Sequence, residues 1–187
     1  MKISKKWQLF FLFLITLIFD IGTKEIARHF FDRPFNAAHF YPYGGVGIFE
    51  NFLGGIDFSL GYVQNSGAAF GMLRDFPQVL LALRTILLLI MTYMLFFKKK
   101  LEDHQSTSSN FFSKENDISI TLILSGAFGN LIDNFRQGYV IDFLNFHFYG
   151  YPFPLFNMAD SYITIGAVIY LLKELFFMIQ QKKLHAK

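Results

Sequence analysis

The chain has 187 residues, of which 53% are apolar and 26 are phenylalanine, more aromatic surface than a soluble domain of this size can bury. Its formal net charge is only +3, and its one lysine run, Lys98-Lys99-Lys100, sits beside an apolar segment, where it reads as a topology signal rather than a nucleic-acid patch. The absence of cysteine excludes a disulfide, a thiol nucleophile and a thiolate metal site.

In chain order, four apolar windows at 8–27, 77–97, 118–135 and 158–179 come close to the ~20 residues that cross a hydrocarbon core. The expected fold is an all-α polytopic membrane protein: one domain, residues 1–187, of four transmembrane helices with a small extramembrane β-sheet. The first window has the basic start of a secretory leader, but no small-x-small cleavage pattern follows it. It runs instead into Asp20 and Lys24, and we read it as retained. Between the first two windows, residues 28–76 form a long loop broken by Gly44-Gly45, Gly47, Gly54-Gly55 and Gly61. Its Ile56–Leu60 stretch alternates as a strand does. Pro77 suits the first position of the second helix, and Arg84 then lies about 10 Å further along, at ~1.5 Å per residue. It either snorkels to headgroups or pairs with an acid inside the bundle. Segment 101–117 is a polar connection with no assigned chemistry.

Eleven lysines fall on one side: Lys2, Lys5 and Lys6 before the first window, Lys98, Lys99, Lys100 and Lys114 between the second and third, and Lys173, Lys182, Lys183 and Lys187 toward the end of the chain. The opposite side has only Arg28, Arg33, Arg74 and Arg136. The positive-inside rule therefore places both termini in the cytoplasm and segments 28–76 and 136–157 outside.

This topology gathers polar residues at one depth. Asp20 and Lys24, spaced i,i+4, lie toward the outer end of the first helix, Asn130 and Asp133 toward that of the third. Asp142 follows in YVIDFLNF, and Asn157 and Asp160 open the fourth helix. Structural readings exist for several of them. Asn157 suits an N-cap, Asp160 complements a helix dipole, Asp133 suits a buried ion pair, and Asn130 suits a bridge between helices. The glycines of SGAFGN suit close helix packing. Asp142 interrupts an apolar run with no local cap to fill.

Two neighbouring carboxylates, Asp142 and Asp160, cannot both ionise cheaply and so share one proton. One then deprotonates water while the other polarises a carbonyl, which is peptide hydrolysis without a covalent intermediate. The five histidines, His29, His39, His104, His147 and His185, are too scattered for a metal cage. No pattern calls for a metal or cofactor. His147 reads as a lining of the substrate loop. Ser66 lacks a nucleophile elbow. A proton-coupled transporter would distribute its ionisable groups across the membrane, whereas a non-catalytic scaffold would tolerate Asn at either aspartate.

The motifs together resemble bacterial lipoprotein signal peptidase (signal peptidase II, prolipoprotein signal peptidase). They are DxxxK at Asp20–Lys24, NSGAAFG at 65–71, GAFGNLIDN at 126–134, GYVIDF at 138–143 and FNMAD at 156–160. The resemblance implies an aspartyl endopeptidase of the bacterial inner membrane. Such enzymes remove the signal peptide of prolipoproteins once the lipobox cysteine carries diacylglycerol. It also implies Asp142 and Asp160 as the catalytic pair, with Asp20, Lys24, Asn65, Asn130, Asp133 and Asn157 around them. A short surface helix capping the cleft, inhibition by globomycin-type peptides, contact with membrane phospholipid and a monomeric state complete the expectation. Two positions depart from the family pattern: Asn134 stands where Arg is usual and Ile21 where Gln is usual.

Overall fold

The structure, a computed structural model, describes residues 3–31, 46–66, 76–101 and 117–185. Most of them belong to four helices: α1 (Lys5–Phe31), α2 (Pro77–Leu101), α3 (Asp117–Gln137) and α4 (Met158–His185). These contain 27, 25, 21 and 28 residues, each enough to span ~20 residues' worth of hydrocarbon. α3 and α4 are in addition apolar enough to cross a membrane. Every window read from the sequence lies inside one of these helices.

Local chemistry sets the helix ends. Pro77 opens α2, where its missing N–H costs no hydrogen bond, and the Phe76 carbonyl accepts from Leu80 N–H at 3.2 Å. At the far end of α3, Gly138 adopts φ 80° and its N–H donates to the Asn134 carbonyl at 2.9 Å. This left-handed cap stops the helix and turns the chain directly into a strand.

α3 is the central helix, packing against α1, α2 and α4. Leu88 of α2 meets Ile120, Leu124 and Leu131 of α3, with Phe13, Leu81, Met91, Ala127 and Phe128 around them. Gly126 and Gly129 allow α3 to approach closely. A Cβ on Gly126 would overlap the Ala159 carbonyl of α4, and one on Gly129 would overlap Asp20 Oδ2 of α1. The opposite faces are apolar and bare: Phe11, Ile15 and Ile18 of α1, Leu87 of α2, and Leu172 and Phe176 of α4 are all exposed. Such a belt suits lipid and not water.

The sheet is antiparallel, in the order β1 (Val46–Phe52), β2 (Ile56–Asn65), β3 (Val140–Phe148) and β4 (Tyr151–Pro152). The alternating Ile56–Leu60 stretch is thus part of β2, as expected. Segment 136–157, read from the sequence as a loop, instead contributes two strands, so both long connections build the same sheet. A register shift between Leu60 and Val63 marks a bulge at Gly61-Tyr62, which realigns β2 so that Val63 faces Asp142 and Asn65 faces Val140. Aromatic side chains join the strands face to face. Phe58 stacks on Phe146 at 4.4 Å, and Phe146 on Phe156 at 5.9 Å. Ala27, Ile141 and Phe143 form a second buried cluster that fixes the sheet on the C-terminal end of α1. The expected surface helix, residues 67–71 of the NSGAAFG motif and most of the 101–117 connection lie outside the described residues.

Candidate active site

Asp142 projects from β3 and is buried, while Asp160 lies half-buried in the first turn of α4. Eighteen residues separate them in sequence, and backbone pairing closes that gap. Phe156 accepts from the Phe143 and Leu144 amides at 3.1 and 2.9 Å, and its own N–H returns to the Leu144 carbonyl at 3.2 Å. The chain entering α4 is thereby stitched to the strand that carries Asp142.

Asn157 then ties the two carboxylates together. Its Nδ2 donates to Asp142 Oδ1 at 2.7 Å, and its backbone N–H donates to Asp160 Oδ2 at 3.2 Å. In return its Oδ1 accepts the Asp160 N–H at 3.0 Å. Asn157 and Asp160 thus form a reciprocal cap on α4, the geometry of a capping box built from Asn and Asp. The capping reading of Asn157 and its place beside the carboxylates are both correct.

The remaining oxygens are held from other elements. Asn65, at the end of β2, donates to Asp142 Oδ2 at 2.8 Å. Asn130 of α3 donates to Asp160 Oδ1 at 2.8 Å and accepts from Lys24 Nζ at 3.0 Å. Lys24 lies 2.7 Å from Asp20 Oδ2 and 3.1 Å from Asp133 Oδ2, and all three are buried. Asp20 also accepts the Ala159 N–H at 2.8 Å, one residue before Asp160. Asp133 accepts the Ile141 N–H at 3.4 Å, one residue before Asp142. The ion triad therefore supports the backbone on either side of the pair. All eight sequence-selected residues, Asp20, Lys24, Asn65, Asn130, Asp133, Asp142, Asn157 and Asp160, fall within this one network.

Asp142 is pushed up to about 7, first by burial and then by the charge of Asp160; the Asn65 and Asn157 amides and Lys24 pull the other way without cancelling it. A carboxyl in this state is mostly protonated in mildly acidic surroundings and about half protonated at neutral pH. The pair can hold one proton and one negative charge, which is the requirement for activating water.

One reading changes. His147 does not line a substrate loop: it is buried on β3, five residues from Asp142 and hence on the other face of the sheet, in register with Asp57. Asn134, at the position where Arg is usual, is buried and caps its own helix by donating to the Asn130 carbonyl at 2.8 Å. Arg136 is exposed and pairs with Glu25 of α1 at 2.8 Å. The backbone donors of Ile141 and Ala159 were missed, because a peptide N–H leaves no mark in the residue types.

Comparison with known proteins identifies the family. The family described as signal peptidase (SPase) II matches residues 12–176. The lipoprotein signal peptidase of Clostridium tetani is 38% identical over 121 residues, covering 63% of this chain and 70% of that protein. That of Photorhabdus laumondii is 33% identical over 164 residues, covering 83% and 80%. Among solved structures, a bacterial membrane enzyme determined in meso at 2.3 Å resolution superposes with a TM-score of 0.65 at 26% identity, covering 90% of this chain and 88% of that one. The chain belongs to the signal peptidase II family and is a membrane endopeptidase rather than a transporter or a scaffold.

Proposed function

We propose that the chain is one aspartyl peptidase domain, residues 1–187, that cleaves diacylglyceryl-modified prolipoproteins on the amino side of the lipidated cysteine. Asp142 and Asp160 are its catalytic pair. The observation that carries this reading is the shared residue Asn157, bonded to Asp142 at 2.7 Å and to Asp160 at 3.2 Å. It holds two carboxylates in one constellation, with the Asn65 and Asn130 amides on their other oxygens.

In this mechanism the proton of the pair resides on Asp142, which burial keeps neutral. Asp160, at the half-exposed mouth of the site, takes a proton from water. The water adds to the scissile carbonyl while Asp142 donates a hydrogen bond to the carbonyl oxygen. Collapse of the tetrahedral intermediate breaks the C–N bond, and a proton passes to the leaving cysteine nitrogen. Asn65, Asn130 and Asn157 hold the carboxylates still, and Asp20, Lys24 and Asp133 fix the backbone behind them.

The lysine distribution supports cytoplasmic termini, an inner-membrane location and a site near the outer face. The two acyl chains of the substrate remain in the bilayer beside the helices, and the sheet supports the peptide above. Binding energy from the lipid thereby places the bond at the carboxylates. All eight polar residues come from one chain, so a monomer suffices, and globomycin-type peptides inhibit by occupying the pair.

The test is mass spectrometry of products from a diacylglyceryl-modified prolipoprotein and its unlipidated form, each incubated with the purified chain in lipid. Release of the intact leader, with lipidated cysteine as the new N-terminus, supports the reading. Equal cleavage of both forms, or scission elsewhere, contradicts it.

A further inference from the structure

The charge count at the site leaves a gap. Lys24 is within ion-pair distance of two carboxylates, Asp20 at 2.7 Å and Asp133 at 3.1 Å, so one ammonium already faces two acids. It reaches Asp160 only through Asn130. With one negative charge on the catalytic pair, the groups contributed by α1, α3, β3 and α4 sum to two negative charges in a low-dielectric setting. Tyr162 of α4, which faces Asp20, adds no positive charge.

α2 supplies the missing cation. Leu81 and Leu88 pack on α3 beside Leu124, Ala127 and Leu131, and Arg84, three residues after one and four before the other, lies on that same face. It is half-buried there, in contrast to the exposed Leu83, Ile86 and Leu87. The carboxylates whose charges it feels are Asp160 and Asp142.

We propose that Arg84 is a positioning residue: it is the counter-ion of the singly ionised pair, contributed by α2. The inference rests on the reading of Asp142 and Asp160 as the catalytic pair. A lipid-anchoring arginine would contact headgroup phosphate and would have no bearing on the pair's protonation. A counter-ion favours the charged form, so its loss moves the pair's ionisation to higher pH.

The test is kcat and KM against pH for the full chain in lipid, comparing wild type with Arg84→Gln, Arg84→Met and Arg84→Lys, on a lipid-modified prolipoprotein. The Gln and Met variants should lose about tenfold in kcat, keep KM within about twofold, and show an acidic limb raised by about one unit, while Lys restores the limb. An unmoved limb, or an effect on KM alone, overturns the proposal. Thermal unfolding gives a second readout that holds even for poorly active variants. Arg84→Gln should lower Tm less in an Asp160→Asn background than in wild type, and equal losses in both would contradict the pairing. Failure of the catalytic reading itself would appear separately, as cleavage by Asp142→Asn or Asp160→Asn.

Discussion

Asn157 and Asp160 bond each other twice, Asp160 N–H to Asn157 Oδ1 at 3.0 Å and Asn157 N–H to Asp160 Oδ2 at 3.2 Å. The start of α4 and the placement of the Asp160 carboxylate are thus one structure. The two roles separate by substitution. Asn157→Ser keeps a good N-cap but does not reach Asp142, so Tm should stay near wild type while cleavage falls about tenfold or more. Asn157→Ala loses both, and should also cost about 1 kcal/mol of stability. Thermal unfolding and cleavage rate, measured on the same preparations, check this.

Removing the cation of the buried triad should be severe. Lys24→Met leaves Asp20 and Asp133 buried without their ammonium, an effect of about 3–5 kcal/mol. The measurement is thermal unfolding in detergent, in which the variant should unfold well below wild type. A Tm within a few degrees of wild type would mean that the triad is not a structural unit.

The glycines give a contrast within one bundle. At Gly129 a methyl group would overlap Asp20 Oδ2, whereas at Gly22, in the middle of α1, a Cβ has nothing within 4 Å. Gly129→Ala should destabilise by about 1–3 kcal/mol and reduce cleavage by displacing Asp20 from the Ala159 amide. Gly22→Ala should stabilise by about 0.5–1 kcal/mol through helix propensity alone. Paired unfolding measurements decide between position and composition.

The pH dependence follows from Asp142. Its folded pKa is about 7 against an unfolded value of 3.8, so between those values the folded state binds the extra proton. Stability from this group is fully present below about pH 4 and declines as pH rises through 7. Asp142→Asn removes the titration, so the Tm difference, variant minus wild type, should become more positive from pH 5 to pH 8, by the equivalent of about 2 kcal/mol. Wild-type kcat should fall above about pH 7, as the shared proton is lost.

The legible parts of the sequence were those with local signatures. Apolar length marked all four helices, i,i+4 spacing gave the Asp20–Lys24 pair, and Asn157 three residues before Asp160 gave the cap. What stayed hidden depends on pairing between distant segments. Asn65 and Asp142 are 77 residues apart, and only the β2–β3 register, with its bulge, brings them to 2.8 Å. β3 itself was read as loop because VIDFLNFHF, buried almost throughout, does not alternate cleanly between apolar and polar residues. For that reason His147 was assigned to the substrate side, when strand parity puts it on the other face.

The proposed mechanism requires both Asp142 and Asp160. The most direct measurement is a gel-shift cleavage assay of a purified diacylglyceryl-modified prolipoprotein, without added metal, by wild type, Asp142→Asn and Asp160→Asn. All three proteins should be confirmed as folded by thermal unfolding. If the two aspartates act together, the wild type cleaves the substrate and neither variant does. Cleavage by either folded variant would contradict the mechanism.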